Sequence, residues 1–230
     1  MYGRILHIVL TSKARPMDKT IRKLLTDFKD FVAQCYSPEH KSKITDLIDH
    51  GQRPEILVIG CSDSRCGPET LFKTNQGDLF VQRHIAALVA SFDQSDICDV
   101  TAATIDYAIE ALHVKHIIIL SHTDCGGIAG LCKGLNAEDG AVGKWISQAK
   151  EVLEQVKSEN PELTADQLPP LVEHASIKWS LNNLKSYPAV AKALSEDKVA
   201  LHGWQYDMRQ GIIMAYDAEK DDFIALTDQI

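Results

Sequence analysis

The apolar residues of this chain alternate between two spacings. From Lys19 onward, Ile21, Leu24, Leu25, Phe28, Phe31 and Val32 recur every three or four positions with Lys, Arg and Asp between them. That is the pattern of an amphipathic helix with one stripe to bury, and it needs a surface to pack on. Residues 55–60 (EILVIG) form instead a continuous apolar run rich in β-branched side chains, preceded by Pro54, and they predict a strand buried on both faces. Residues 78–83 (DLFVQR), introduced by Gly77, predict a second strand. Helical spacing returns at Ile105, Ala108, Ile109 and Leu112, and residues 116–120 (HIIIL) predict another fully apolar strand. Strand, helix, strand is the βαβ rhythm of a parallel sheet.

Further along, residues 143–156 and 172–184 predict helices, and Pro188 suits the first turn of another. Residues 198–206 (KVALHGWQY) and 211–216 (GIIMAY) read as a closing strand pair. The stretch 160–170, with Pro161, Pro169 and Pro170, predicts the one long surface loop, and the tail from Asp217 gives no sign of whether it docks. The expected fold is α/β, a central, mostly parallel sheet flanked by helices, in a single domain over residues 17–230. Residues 1–16 carry an apolar patch too short for a signal core, followed by Lys13 and Arg15, and are expected to be a flexible leader.

Composition narrows the partners. Thirty-two acidic against 24 basic side chains give a formal charge of −8, which argues against nucleic acid or an anionic membrane as the main partner. No apolar run approaches the length of a membrane span. Six cysteines is an even number, but a 230-residue chain can bury a core without disulfides, so reduced thiols in the cytoplasm are expected.

In open α/β sheets the ligand crevice lies beyond the carboxyl ends of the strands. Residues 55–60 run into Cys61-Ser62-Asp63-Ser64-Arg65, and residues 116–120 run into Ser121-His122-Thr123-Asp124-Cys125-Gly126-Gly127. Two neighbouring parallel strands would therefore bring two thiols and an imidazole to one edge. Thiolate and imidazole suit zinc, and three protein ligands leave a tetrahedral position free, as catalytic sites do. Asp63 and Arg65 can form a bidentate pair that keeps the carboxylate ionised and aimed. Taken singly, each of these residues could equally be a packed thiol, a core histidine or a surface ion pair.

The Cys-Ser-Asp-Ser-Arg run with His-x-x-Cys-Gly-Gly downstream resembles the β-class carbonic anhydrases, and the likeness extends from about Met17 to Tyr216. It includes Gly77-Asp78-Leu79-Phe80-Val81 with Arg83, the helix around Tyr107, and Leu201-His202-Gly203-Trp204. The resemblance implies four parallel strands plus an antiparallel edge strand, an N-terminal helical arm laid across a partner, and a homodimer or dimer-based tetramer. It implies one Zn²⁺ per chain on Cys61, His122 and Cys125, with Asp63 and Arg65 as the catalytic dyad. Gln52, Phe80, Ile85 and Tyr107 align with positions that bind CO2 or bicarbonate. The implied activity is reversible hydration of CO2 to bicarbonate by attack of zinc-bound hydroxide. Hydrolysis of a CO2 analogue such as carbonyl sulfide or carbon disulfide, or a non-catalytic zinc-binding role, remains as an alternative.

Several positions depart from the family pattern. Gln76 stands where Pro is usual, His84 and Ala87 where Asn is usual, and Ser121 where Gly is usual. Val58 replaces the Trp of members that close their metal site with the aspartate, so an open site is expected here. Cys35, Cys66, Cys98 and Cys132 have no partners at ligand spacing and are expected to be buried thiols.

Overall fold

A computed structural model describes residues 17–37, 41–94 and 100–226. The expected leader 1–16 and Cys98 lie outside the described residues. The chain divides into two compact units, residues 1–51 and 52–230.

The first unit contains helices α1 (Lys19–Cys35) and α2 (Lys41–Asp49). Asp18 opens α1 by accepting the Thr20 N–H at 2.8 Å, satisfying one of the donors a helix start leaves free. The predicted stripe is present, but no residue of α1 is buried, and Ile21, Leu24, Leu25, Phe28 and Val32 are all exposed. Cys35 is half-buried rather than buried.

The second unit is built on a six-stranded sheet of order β2-β1-β3-β4-β5-β6. Its strands are β1 (Ile56–Cys61), β2 (Leu79–His84), β3 (His116–His122), β4 (Ala200–Asp207), β5 (Ile212–Asp217) and β6 (Asp222–Ala225). The first four are mutually parallel and the last two antiparallel. The sheet thus has one strand more than expected, β6, which pairs antiparallel with β5. The extra strand, β6, is only four residues long and follows an acidic turn, so its sequence carries no alternation to read. It is anchored by Phe223, which is buried and stacks on the His174 ring at 3.9 Å between centroids.

Helices α3 (Pro68–Leu71), α4 (Val100–Asp106), α5 (Gly126–Cys132), α6 (Gly140–Ile146), α7 (Lys150–Glu159), α8 (Pro169–Leu184) and α9 (Pro188–Ser195) complete the unit. Two single helices expected from the pattern are modified. The one after Val100 ends in a π-helical turn, Tyr107–Ala111, and the 143–156 run is broken by a 3₁₀ turn at Ser147–Ala149. Because β1 and β3 alternate faces, Leu57, Ile59, Ile117 and Ile119 bury against Ile105, Ile177, Leu184 and Val190 of the helices. Val58, Ile118 and Leu120 face the other way, onto Phe72, Trp204 and Ile213. Apolar side chains on both faces explain why β1 and β3 read as unbroken apolar runs.

Candidate metal centre

Parallel pairing brings the strand ends together. Cys61, the last residue of β1, pairs with His84 at the end of β2, while Gly60 pairs with Leu120, two residues before His122. The sulfurs of Cys61 and Cys125 and a ring nitrogen of His122 all lie within 4.8 Å of one another, and all three residues are buried. Such a group could hold a metal ion.

The imidazole fits that use. His122 Nδ1 lies 2.9 Å from the Thr123 carbonyl, and a carbonyl can only accept, so Nδ1 carries a proton and Nε2 is the ring nitrogen left to face a metal. Nε2 is buried without a hydrogen-bond partner among the described residues. An orphaned buried acceptor costs about 1–3 kcal/mol, a cost that a cation at this point removes. The thiols fit as well. Hydrogen bonds from Cys125 and then Cys66 pull the Cys61 thiol far below its ordinary range, while the same bonds and burial push Cys125 and Cys66 up. A divalent cation at the centre would stabilise both ligand sulfurs as thiolates.

Asp63 stands beside this group. Arg65 donates to it from Nε to Oδ1 at 3.0 Å, from its second guanidinium nitrogen to Oδ2 at 2.7 Å, and from its backbone N–H to Oδ1 at 2.9 Å. The guanidinium hydrogen bonds, followed by the backbone one, hold the carboxyl at about 2. Asp63 Oδ2 is 3.9 Å from His122 Nε2, too long for a hydrogen bond but close enough to border whatever occupies the group's centre. The loop is tied to β2 by Arg83, which donates to the carbonyls of Cys61 at 2.8 Å and Asp63 at 2.6 Å.

The second ligand loop is held from the interior. Thr123 N–H donates to the Tyr206 carbonyl at 3.0 Å, and Asp124 adopts φ +56°, a left-handed conformation uncommon outside glycine. Cys125 N–H donates to Oε1 of Glu173 at 2.9 Å, and Gln205 donates to Oε2 at 3.1 Å. Glu173 is 2% exposed, and burial pushes its carboxyl up to about 7 against the pull of the Cys125 N–H. Gly127 is required by close approach, since a Cβ there would lie 2.7 Å from Ile85 Cγ2 and 3.2 Å from Ala86 Cβ.

A family model described as carbonic anhydrase matches residues 56–213. A solved structure described as the β-carbonic anhydrase CcaA superimposes with a TM-score of 0.81 at 29% identity, over 90% of this chain and 99% of that one. The chain belongs to the β-class carbonic anhydrase family. A carbonic anhydrase from Synechocystis sp. is 31% identical over 91% of this chain and 76% of its own length. One of two tetrameric β-carbonic anhydrases from Sordaria macrospora has a TM-score of 0.75 at 30% identity, over 86% of this chain and 97% of that one.

The family positions expected to line the substrate pocket fall in two places. Ile85 follows β2 at the metal end, where its carbonyl accepts the Trp145 indole N–H at 2.8 Å. Phe80 pairs with Leu57, four positions before Cys61 on β1, roughly 13 Å down the strand at the usual rise. Tyr107 packs on Phe80 with ring centroids 5.8 Å apart, and Gln52 is exposed ahead of the start of β1. Within one chain, therefore, Gln52, Phe80 and Tyr107 are not gathered around Cys61. The departures from the family pattern also have structural consequences. His84 packs its ring on Trp145 at 4.9 Å, and Ala86 and Ala87 both take positive φ, +62° and +52°. Asn adopts that conformation more readily than Ala, so Ala87 is the less favoured residue at this position.

Glu173 was not among the candidates read from the sequence. The available signal was its spacing: with Ser176, Ile177, Ser180 and Leu184 it occupies the buried stripe of α8, where an unpaired carboxylate would be costly.

Proposed function

We propose that this chain binds one zinc ion through Cys61, His122 and Cys125 and catalyses the reversible hydration of CO2 to bicarbonate and a proton. The observation that carries this reading is the buried Cys-His-Cys group with an arginine-held carboxylate 3.9 Å from the orphaned His122 nitrogen. A structural metal site would need no such carboxylate. Zinc bound there supplies the positive charge that makes a water acidic enough to act as a nucleophile near neutral pH.

The chain's own residues do the rest. Asp63, ionised and fixed by the Arg65 fork, can only accept hydrogen bonds, so it takes a water O–H and turns that oxygen's lone pair toward the pocket. Since both Asp63 oxygens are engaged by Arg65, the carboxylate is held away from the ligand position, in keeping with Val58 and an open site. Arg65 also places a positive charge beside the bicarbonate product. In this reading Ile85 lines the pocket from its own chain, while Gln52, Phe80 and Tyr107, which lie away from Cys61, serve a pocket belonging to another copy. The proposed assembly is a homodimer or dimer-based tetramer, with the exposed stripe of α1 as a surface such an assembly would cover. The proposed setting is the cytoplasm, where thiol ligands stay reduced.

Stopped-flow hydration of CO2 by the zinc-loaded protein, with carbonyl sulfide as competing substrate and Cys61→Ala and Asp63→Ala as controls, tests the proposal. Hydration of CO2 is expected, lost in Cys61→Ala and weakened with zinc retained in Asp63→Ala. One zinc per chain with no CO2 hydration anywhere from about pH 7 to 9 would overturn it.

A further inference from the structure

We infer that Glu173 is a positioning residue of the metal centre: by accepting the Cys125 N–H it fixes the Asp124–Cys125 peptide, and with it the direction in which the Cys125 sulfur is presented. The inference rests on Cys125 being a metal ligand, but not on which reaction the centre performs.

Three observations converge on that one peptide. Its N–H is held by the buried Glu173 carboxylate at 2.9 Å, and its carbonyl, that of Asp124, faces the Arg65 guanidinium at 3.4 Å. The residue preceding the ligand, Asp124, sits at φ +56°, a left-handed turn that aspartate adopts more readily than most residues and that sets the direction in which this peptide enters the ligand. The Asp124 side chain is pinned from outside by Arg209, at 3.0 Å to each carboxylate oxygen. Rotation of this peptide would withdraw the N–H from Glu173 and the carbonyl from Arg65 together. The same guanidinium orients Asp63, so the direction of the Cys125 sulfur and the aim of the dyad are tied to one peptide plane.

Glu173 is itself braced. Its second oxygen accepts from Gln205, whose amide oxygen takes a hydrogen bond from His174 Nε2 at 2.8 Å, and the His174 ring lies flat on Phe223 of β6. The short C-terminal strand thus fixes the residue that fixes the ligand loop. Partners that orient metal ligands from behind are typically worth 10–100-fold in metal affinity.

The test is the zinc affinity of three full-length proteins, measured by competition with a chromogenic chelator, together with the thiolate-to-metal charge-transfer spectrum of their Co²⁺ forms. Glu173→Gln keeps an acceptor oxygen in place and should stay within about threefold of the parent with an unchanged spectrum. Glu173→Met keeps the length but removes the acceptor, and should lose about 10–100-fold in affinity with shifted charge-transfer bands. If Glu173→Met does not fold, Glu173→Asp, which withdraws the acceptor by one methylene, takes its place with the same expected loss. Both substitutions within threefold of the parent, or Gln as damaging as Met, would overturn the inference. A parent that binds zinc tightly but hydrates no CO2 would sink the proposed activity and leave this inference standing.

Discussion

The two loops that carry the candidate ligands are held in opposite ways. The loop after β1 is partly open: Asp63 is half-buried, Arg65 and Arg83 are exposed, and cations grip its carbonyls and its carboxylate from the pocket side. The loop after β3 is closed: His122 and Cys125 are buried, and a buried carboxyl, that of Glu173, grips its N–H from within the helical layer. The Asp63–Arg65 pair is placed where solvent reaches it, whereas Glu173 is placed where nothing competes for its hydrogen bonds. Solvent can replace part of a lost contact in the first loop, and in the second it cannot.

That contrast can be broken or sharpened by substitution. Cys61→Ala and Cys125→Ala remove a ligand from either loop, and each should cut CO2 hydration by at least about a thousandfold in stopped-flow assays, with zinc lost by metal analysis. Asp63→Asn keeps the shape but not the charge. It should lower kcat by about a hundredfold while zinc content stays at one per chain, which separates chemistry from metal binding within the open loop. Gly127→Ala forces a Cβ against Ile85 and Ala86, and chemical denaturation should show a loss of about 1–3 kcal/mol of stability. Arg83→Met removes the exposed clamp on Cys61 and Asp63. It should weaken zinc by only about three- to tenfold in chelator competition, less than Glu173→Met, because water reaches the carbonyls it leaves. An Arg83→Met effect larger than that of Glu173→Met would reverse the assignment of rigid and open loops.

Much of this was legible in the residue order because parallel strands turn sequence position into spatial position. The apolar runs at 56–60 and 116–120 fix two strands, and whatever follows them, here Cys61 and His122, must meet at one edge. Asp63 and Arg65 were legible because their partners are two residues apart. Glu173 was not, since its partner Cys125 is 48 residues away and no local pattern reports a contact across α8 and the sheet. β6 escaped for a related reason: its place is set by Phe223 meeting His174, a contact between distant segments, rather than by periodicity of its own. Alignment on one chain also shows nothing of Gln52, Phe80 and Tyr107 lying away from the ligands. Only the register places Phe80 at the level of Leu57 instead of Cys61.

X-ray absorption at the zinc edge of the loaded protein, compared with its Asp63→Asn variant, tests the metal centre most directly. The account predicts two sulfurs at about 2.3 Å and one imidazole nitrogen at about 2.0–2.1 Å, with the first shell the same in both proteins because Asp63 stays on Arg65. Fewer than two sulfurs, a third sulfur recruited from Cys66, or a first shell that changes when Asp63 is replaced would contradict it.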